Sequence, residues 1–591
     1  MPTRPDHHVN WPLVLFGWLL ASLLLAARAT WFSADIPLVA DTDDAMRLTV
    51  VRDLLMGQNW FDHVQHRLDF PFGGSIHWSR LIDLPIAGLT LLFSPFMADP
   101  LMGAAYVWPL LLFGVLLALS AMMSAELIGK EASLPAIVLP ALSAVVMVEF
   151  APGRVDHHSV QIILALLTVL ATIKSWRHIG WAIVAGIAAS TAIAIGTESL
   201  PIVVAAVATY AIMWVIHPDH GGNLRYFGIS FGLASLVHLA IAQPPSLWLA
   251  PMCDALSITY VAAAIGVALV LAVLPAFPLR SWWTRLGAGV LLGGALVAGL
   301  VILFPQCLAG PYAGMDPWLA ENWLGRIIEA KPIWHSLLQL PAYTIGIAVP
   351  PLLALLVIGL KITMGSKHRR AEWLVLGLYL ALGIAVMILQ VRGARLLAPL
   401  AVPAGALTIV AFRRRFIANK SIPDALGLVA SWIGFTGIAV ASIASLIIPA
   451  PGNAGATSGG DAGSKYACLQ PDAYIDLAGL PPEVIMAPVD LGSHILLYTP
   501  HSIIGAPYHR AQDGVFDTFR FFNGPPDEAR AIAGKRRISL VVTCPWLGEM
   551  TGFDNTDPNS FVALFAKGEV PDWLVDQSIP GQPLRVYSLK D

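Results

Sequence analysis

Residues 104–123 read AAYVWPLLLFGVLLALSAMM, an apolar stretch without a charged side chain. A helix of about 20 such residues crosses the roughly 30 Å hydrocarbon core of a bilayer. The rest of the chain has the same character, because 57% of its 591 residues are hydrophobic and only 12% are charged. Soluble proteins carry about 25% charged residues. Too few charges remain to cover a soluble surface, so the sequence predicts a polytopic membrane protein and excludes a soluble enzyme.

Apolar blocks like this one recur along the first 450 residues. Each must form a helix, because lipid offers the backbone no other hydrogen-bond partner. We predict thirteen spans, at residues 11–30, 104–123, 133–151, 158–174, 180–195, 200–217, 226–243, 257–275, 284–304, 337–360, 373–390, 395–412 and 425–449. A further segment, 84–97 (LPIAGLTLLFSPFM), would invert every later loop if it crossed completely. We therefore interpret it as a re-entrant or interfacial helix.

Lysine and arginine residues set the orientation of these spans, because they collect in cytoplasmic loops. With the N-terminus in the cytoplasm, the inside loops hold Lys130, Lys174, Arg177, Arg225, Arg280, Arg285, Lys361, Lys367, Arg369, Arg370, Arg413, Arg414, Arg415 and Lys420. The short outside loops hold little basic charge besides Arg154, Arg392 and Arg395. We expect a multi-pass protein of a bacterial inner (plasma) membrane, with the C-terminal part in the periplasm.

Three outside segments are long, at residues 31–103, 305–336 and the tail. We expect a transmembrane domain at 1–450, a flexible Pro/Gly/Ser/Ala-rich linker at 451–467 and a soluble domain at 468–591. In the soluble domain, VIMAPVD, HILLYT and ISLVVTCPW predict strands, and PDEARAIAGK predicts a helix. The predicted fold class is a polytopic α-helical membrane protein with a C-terminal soluble α/β domain.

The four cysteines, at positions 253, 307, 468 and 544, all lie outside by this topology. Cys468 and Cys544 share the soluble domain, so a disulfide between them is expected in an oxidising compartment. The alternative is a pair of unbonded buried thiols.

Ionisable residues beside a membrane are costly and tend to be functional. A first cluster follows the first span, where ADTDDAMRLTVVRD (40–53) contains Asp41, Asp43, Asp44 and Arg47. Carboxylates this close together are stable only when they are solvated or bound to a cation, and hard divalent cations prefer such oxygens. The alternative is an acidic cap at the start of a helix.

A second cluster follows the third span, where EFAPGRVDHHSVQ (149–161) contains Asp156, His157 and His158. An Asp-x-His pattern offers an oxygen and an imidazole to one ion. The alternative is a capping aspartate with interfacial histidines. Two weaker signals are Glu329 in WLGRIIEAKP (323–332), which a surface salt bridge would also explain, and Glu198 in GTESLP, which we interpret first as a helix cap.

Two outer arginines, Arg392 and Arg395 in QVRGARLLAP (390–399), break the positive-inside pattern. Arginine is the preferred partner for phosphate, although an arginine can also extend towards outer lipid headgroups. Taken together, the clusters offer carboxylates and histidine for a metal and arginine for a phosphate on one side of the membrane. A metal held against a phosphate leaving group is a recognised catalytic arrangement.

The order of these motifs resembles the catalytic subunit of oligosaccharyltransferase, in the GT-C superfamily of glycosyltransferases that use lipid-linked sugars. The likeness covers about residues 1–450. That family has an acidic motif in the first outer loop, a DxD, DNE or DHH motif after the third span, an SVSE- or TIXE-type motif between spans nine and ten, and an outer arginine for the lipid pyrophosphate. GRVDHHSVQ and FPFGGSIHWSRLIDLP, with His77 and Trp78, resemble the archaeal members.

The resemblance implies transfer of a sugar or oligosaccharide from a polyprenyl-(di)phosphate donor to a cell-envelope or protein acceptor at the outer membrane face. Its partners would be the lipid-linked donor, membrane lipids and the acceptor. A nucleic-acid partner is not expected, because the net charge is −3 and no long basic run occurs. The predicted residues are Asp43, Asp156 and His158 for Mg2+ or Mn2+; Asp43, Asp44, Asp156 and Glu329 for catalysis; Arg392 and Arg395 for the donor phosphate; and Arg47, His77, His157, Glu198, His509 and Arg510 as possible accessory residues.

The sequence departs from the family pattern in three places. Arg326 stands where Ser or Thr is usual, Gln161 replaces a Glu, and the tail has no WWDYG motif, which reads the acceptor sequon in the family. The tail instead carries HSIIGAPYHRAQDGVFDTF (501–519), with His509 and Arg510, which is either an acceptor-facing loop or a structural turn. The acceptor is therefore left open.

Two other classes of function compete with this reading. A lipid or polysaccharide transporter predicts an intramembrane polar pathway and internal repeats. A non-catalytic envelope-assembly protein predicts that the acidic clusters are dispensable and that the tail is not.

Overall fold

A computed structural model describes residues 8–32, 35–364, 369–448, 464–551 and 557–590. The described chain has a helical region up to residue 448 and an α/β region from residue 464. Most of the predicted linker, 451–467, lies outside the described residues.

The helical region contains nineteen α-helices and one small antiparallel ribbon. The helices are α1 Trp11–Ala27, α2 Thr42–Leu55, α3 Asp83–Phe93, α4 Pro100–Leu127, α5 Ser133–Ala141, α6 Ala144–Glu149, α7 His158–Ser175, α8 Gly180–Ile195, α9 Leu200–Ile216, α10 Gly221–Ala242, α11 Ile258–Val273, α12 Trp282–Leu303, α13 Pro317–Asn322, α14 Ile333–Gln339, α15 Pro341–Thr363, α16 Arg370–Leu389, α17 Ala394–Asn419, α18 Ile422–Phe435 and α19 Gly437–Ile447. The ribbon pairs β1 Val64–Gln65 with β2 Gly74–Ser75.

Within the described residues, ten helices are long and apolar enough to cross a bilayer. The number is eleven if α18 and α19, which meet at 90°, form one bent span. The chain is therefore a multi-pass membrane protein, as predicted. Each of the thirteen predicted spans contains helix, but α8 has only 16 residues and three spans, 133–151, 337–360 and 425–449, are interrupted. The segment predicted at 84–97 is the 11-residue helix α3, and its re-entrant or interfacial position stays a prediction.

A proline explains one of the interruptions, in the predicted span 133–151. Pro140 has no backbone N–H, so the carbonyl of Ala136 lacks its normal helical donor. The hydroxyl of Ser120 on α4 donates to that carbonyl instead, at 2.9 Å. The helix ends at Ala141, and α6 then runs to Glu149. The break therefore produces a short helix that ends in a buried carboxylate.

The α/β region consists of a five-stranded mixed sheet with six α-helices. The helices are α20 Ile475–Ala478, α21 Val489–Tyr498, α22 Gln512–Asn523, α23 Pro526–Arg536, α24 Gly548–Thr551 and α25 Phe561–Ala566; the strands are β3 Val484–Met486, β4 Ser502–Ile503, β5 Leu540–Thr543, β6 Leu574–Asp576 and β7 Arg585–Leu589. The sheet order is β4-β3-β5-β7-β6, with β4, β3 and β5 parallel and the last two pairings antiparallel. The α/β fold is confirmed.

One of the predicted strands is wrong. HILLYT lies in helix α21, whose residues 491–497 are all buried. A short apolar run that is enclosed on every side has no polar face to reveal its period, so a buried helix and a buried strand read alike in the sequence. The predicted strands in VIMAPVD and ISLVVTCPW are present as β3 and β5, and the predicted helix in PDEARAIAGK is α23.

The α/β region is attached to the helical region by arginines. Arg67 donates to the carbonyls of Leu496 (2.8 Å), Thr499 (2.9 Å) and His501 (3.1 Å). Arg52 on α2 donates to Leu496 and Leu497 at the end of α21. Two disulfides are present, joining Cys253 to Cys307 and Cys468 to Cys544. The second is the predicted pair, and the first was not paired by the sequence analysis.

Candidate active site

One guanidinium joins the acidic motifs. Arg154, in the turn before α7, lies 2.8 Å from Asp41 and 2.9 Å from Asp44 through Nη1. Through Nη2 it lies 2.7 Å from Asp156 and 3.3 Å from Glu149. Asp44 and Arg154 are 110 positions apart in the sequence. The first two acidic clusters therefore converge on a single cation, whose side chain is only 16% exposed.

The turn that carries Arg154 requires a glycine. Gly153 has φ +92°, in the left-handed region that favours glycine. A Cβ there would lie 1.8 Å from the carbonyl oxygen of Leu38. The backbone N–H of Gly153 donates to Ala105 on α4 at 3.0 Å. The turn is thus held between the backbone of Leu38 and helix α4, which fixes the backbone position of Arg154.

Helix α2 begins within the first acidic cluster. Asp41 is its N-cap and accepts a hydrogen bond from the backbone of Asp43 at 2.9 Å, so the capping alternative is correct for Asp41. Asp44 is buried and accepts from the backbone N–H groups of Val155 (2.7 Å) and Asp156 (2.9 Å). This carboxylate ties α2 to the turn before α7.

Asp43 has different surroundings from its neighbour. Its carboxylate accepts a hydrogen bond from the phenol of Tyr508, at 3.3 Å. Burial, together with the charges of Asp41 and Asp156, raises the pKa of Asp43 from 3.8 to about 7. Asp43 therefore keeps its proton more readily than an exposed aspartate does. A cation bound beside it would compensate the charge of the ionised carboxylate.

The DHH motif lies at the start of α7. Asp156 accepts from the backbone N–H of His158 at 3.0 Å, and its other oxygen is 3.7 Å from Nε2 of the same histidine. Although burial opposes ionisation, Arg154 and His158 hold the pKa of Asp156 below its usual range. Nδ1 of His158 is 3.3 Å from the amide oxygen of Gln161, so the substituted glutamine contacts the motif directly.

Glu198 does not cap a helix, although capping was its first interpretation. Its side chain makes no capping hydrogen bond and instead accepts from Arg392 at 2.7 Å. Its other oxygen lies 3.6 Å from Nδ1 of His158 and 3.8 Å from Nε2 of His157. The outer arginine Arg392 is thereby linked to the DHH motif.

The second outer arginine connects to the other side of the cluster. Arg395 lies 2.9 Å from Glu149, which is also bound to Arg154, and 2.5 Å from Glu329. Glu149 is buried, whereas the Glu329 side chain is 57% exposed. Five stretches of sequence, around residues 41–44, 149–158, 198, 329 and 392–395, therefore meet in one network of ion pairs.

The donor atoms suit a divalent cation, although the predicted ligand set is not closely assembled. Among the described residues, two groups have donor atoms within 4.8 Å of one another, and they are His157–His158–Glu198 and His77–Asp254–His509. The predicted trio of Asp43, Asp156 and His158 is not one of these groups, and Asp156 is bound to Arg154. The carboxylates nevertheless outnumber the arginines around Asp43, whose pKa is raised by burial and by the charges of Asp41 and Asp156. Carboxylate oxygens beside an imidazole fit Mg2+ or Mn2+.

The remaining accessory residues, Arg47, His77, His509 and Arg510, lie in two places. Arg47 is buried, pairs with Asp83 at 2.7 Å and lies over the ring of Trp78, so it does not join the acidic network. His509 and Arg510 instead bind Asp254, at 2.7 Å each, and His77 contacts the His509 ring. Burial, with His509 adding, lowers the pKa of His77 to about 3.

Sequence reasoning missed three contributors to this region. Arg154 and Glu149 lie in the stretch that contains the DHH motif, and only the fold shows that they bridge separate motifs. Asp254 was not singled out. Its signal was a lone carboxylate beside an outside cysteine, in a short loop that otherwise lacks charge.

The fold is similar to that of an archaeal oligosaccharyltransferase, which confirms the predicted resemblance at the level of the fold. The archaeal oligosaccharyltransferase AglB from Archaeoglobus fulgidus, in complex with an inhibitory peptide and a dolichol-phosphate, aligns with TM-score 0.66 and 14% identity. That alignment covers 98% of this chain and 74% of the archaeal chain. The same enzyme tethered to an acceptor peptide gives TM-score 0.63 at 14% identity, covering 98% and 74%. Its complex with Zn and sulfate gives 0.59 at 13% identity, covering 97% and 73%. No protein-family model and no curated protein sequence matches the chain.

Proposed function

We propose that the protein is an integral-membrane glycosyltransferase. It would transfer a sugar or oligosaccharide from a polyprenyl-(di)phosphate donor to a cell-envelope or protein acceptor, at the periplasmic face of a bacterial inner membrane. The observation that carries the proposal is the network in which the acidic motifs, the DHH motif and both outer arginines converge. A transporter needs no such assembly of carboxylates, imidazoles and arginines at one membrane face.

The donor phosphate is assigned to the two outer arginines. Arg392 and Arg395 lie at and just after the start of the last long span, Val391–Asn419, where a lipid-linked phosphate would sit at the membrane surface. Arg392 pairs here with Glu198, and Arg395 pairs with Glu149 and Glu329. A phosphate oxygen can replace a glutamate oxygen on a guanidinium, because both accept the same paired N–H donors. Donor binding would then release Glu329, which is the more exposed glutamate.

Asp43, Asp156 and His158 are the residues proposed to hold Mg2+ or Mn2+. A divalent ion there supplies positive charge beside the departing phosphate. Arg154 holds the carboxylate of Asp156, and the backbone bonds of Asp44 hold α2 against the DHH turn. These contacts position the ligands before any substrate binds, and a preorganised site stabilises developing charge most effectively.

Glu329 is proposed to act on the acceptor. Once released by Arg395, its carboxylate could orient an acceptor N–H or O–H or remove a proton from it. Asp43 would need to lose its own proton before it binds a cation, so its raised pKa predicts better metal binding at neutral and higher pH than in acid.

The test is transfer by the full-length protein in proteoliposomes that contain lipid-linked sugars extracted from the expression host. Release of free polyprenyl (di)phosphate is measured by mass spectrometry, with Mg2+ or Mn2+ and with a chelator. We expect release that depends on the metal and falls at least about 100-fold in Asp43→Asn, Asp156→Asn and Glu329→Gln. Glu131→Gln is the control, because Glu131 pairs with Arg414 at the opposite end of the helices.

Two outcomes would contradict the proposal. Undiminished release by all three variants would remove the acidic network from the chemistry. Sugar-lipid crossing the membrane without any release of polyprenyl (di)phosphate, and without need of a metal, would favour the transporter.

A further inference from the structure

A second set of donor side chains meets beside the acidic network without sharing a residue with it. One ring nitrogen each of His77 and His509 and one carboxylate oxygen of Asp254 all lie within 4.8 Å of one another. The two imidazole ring centroids are 4.7 Å apart, and Nε2 of His509 is 2.7 Å from Asp254. The three residues come from the loop after β2, the loop between α10 and α11, and the α/β region. Distant parts of the chain therefore supply one compact group of donors.

Asp254 is held in place by its neighbours. Arg510 donates to both of its carboxylate oxygens, at 2.7 and 2.8 Å. The adjacent Cys253 is bonded to Cys307, and the phenol of Tyr260 donates to the Cys253 carbonyl at 2.5 Å. A carboxylate held by an arginine keeps free lone pairs, and such outer partners orient metal ligands in proteins.

The imidazole of His77 supplies a second, independent observation. Its Nδ1 atom is buried and has no hydrogen-bond partner among the described residues. Leaving a buried polar atom unpaired is costly, and such atoms in native proteins usually meet a water or an ion. An ion among the three donors would order the imidazole and remove part of that cost.

We propose that His77, Asp254 and His509 form a metal site for Zn2+ or a similar borderline divalent ion. Two imidazoles with one carboxylate match that class of ion, whereas a set with mostly carboxylate oxygens favours Mg2+ or Mn2+. Three protein ligands leave a position for water or for an oxygen of a substrate. The ion would fasten the α/β region to two outer loops beside the candidate active site.

The test uses the full-length protein, purified in detergent and freed of metal with a chelator, and Co2+ as the spectroscopic probe. Asp156→Asn is the parent variant, because it disables the other proposed metal site. We expect the parent to bind about one Co2+ per chain with strong visible absorption, and to release it to Zn2+. Adding His77→Gln or His509→Gln is expected to weaken binding at least about tenfold.

His66→Gln is the matched control, because the His66 imidazole is 68% exposed and pairs with Asp62 rather than with the group. It must bind Co2+ as the parent does. Thermal unfolding separates a lost ligand from a lost fold: without metal the variants should unfold where the parent does, and only the parent and the control should gain stability from Zn2+.

Two results would overturn the site. One is equal Co2+ binding by the parent and both histidine variants, and the other is an Asp156→Asn protein that binds no Co2+. Either result would leave the trio as a hydrogen-bonded clamp. Sugar transfer is measured separately, so failure of this site and failure of the proposed function are distinguishable.

Discussion

Asp43 and Asp44 are adjacent residues with opposite environments. Both oxygens of Asp44 are occupied, by two backbone N–H groups and by Arg154. Among the described residues, the side chain of Asp43 accepts a hydrogen bond only from the phenol of Tyr508, and the like charges of Asp41 and Asp156 lie near it. The sequence could not distinguish the two, because the partners of Asp44 come from a turn more than a hundred positions away. Asp44 is thus the structural member of the pair, and we propose Asp43 as the metal ligand.

The raised pKa of Asp43 predicts how stability depends on pH in the absence of metal. The folded protein holds this proton up to about pH 7, whereas the unfolded chain loses it near pH 3.8. The folded state therefore binds more protons between those values, and its stability falls as the pH rises through them. Asp43→Asn removes this titration. We expect its thermal unfolding temperature to rise relative to the original protein as the pH goes from about 4 to about 8.

The comparison is made in a chelator, and Glu131→Gln serves as the control carboxylate variant. A constant difference between Asp43→Asn and the original protein across this range would show that Asp43 does not retain its proton.

At the scale of elements, the positions of helix ends and the close contacts between helices determine much of the architecture. The spans were predictable because composition and length alone identify a membrane helix. The breaks were harder to foresee, since the carbonyl that Pro140 leaves without its helical donor is satisfied by Ser120 on another helix. Helix α21 was missed because burial on all sides removes its period. Elements whose pattern faces lipid or water are read easily, and enclosed ones are not.

Glycines allow α15 and α19 to approach closely, which yields a prediction at this scale. A Cβ on Gly346 would lie 2.8 Å from the carbonyl oxygen of Gly437 and 2.8 Å from the side chain of Ala441. Gly346→Ala should therefore separate the helices and destabilise the protein by about 1–3 kcal/mol. The measurement is thermal unfolding of the purified protein in detergent.

Gly359→Ala is the matched control in the same helix, because a Cβ there meets nothing within 4 Å. It should be neutral or slightly stabilising, since alanine favours helix. Equal unfolding temperatures for the two variants would mean that the glycine contact does not limit the packing of α15 and α19.

At the scale of the whole molecule, the main feature is the docking of the α/β region on the helical region. Sequence reasoning separated a membrane part from an α/β part by composition, and it found the motifs of the candidate site. It could not show that the α/β region completes this site, because Tyr508, His509 and Arg510 reach their partners only through the docking of the two regions. Such long-range contacts leave no local pattern in a single sequence.

Docking depends on Arg67, which gives a prediction for the assembled molecule. Arg67→Met keeps the apolar stem but leaves three carbonyls without their donor, at a cost of about 2 kcal/mol or more. We expect faster hydrogen–deuterium exchange across α21 and β4, measured by mass spectrometry, and a lower unfolding temperature. Arg520→Met is the control, because Arg520 is 48% exposed and pairs with Glu528 within the α/β region. Identical exchange in both variants would show that Arg67 does not hold the two regions together.

The disulfide between Cys253 and Cys307 also restricts how many times the chain between them can cross the membrane. Cys253 precedes α11 and Cys307 follows α12, so the disulfide closes a hairpin of two long apolar helices. Whichever way the chain enters the bilayer, the two ends of that hairpin must emerge together, and the number of crossings between them must be even. Asp254 and His509 then place the α/β region on the same face as those ends. One disulfide thus limits the possible membrane topologies of the chain, independently of the charges in its loops.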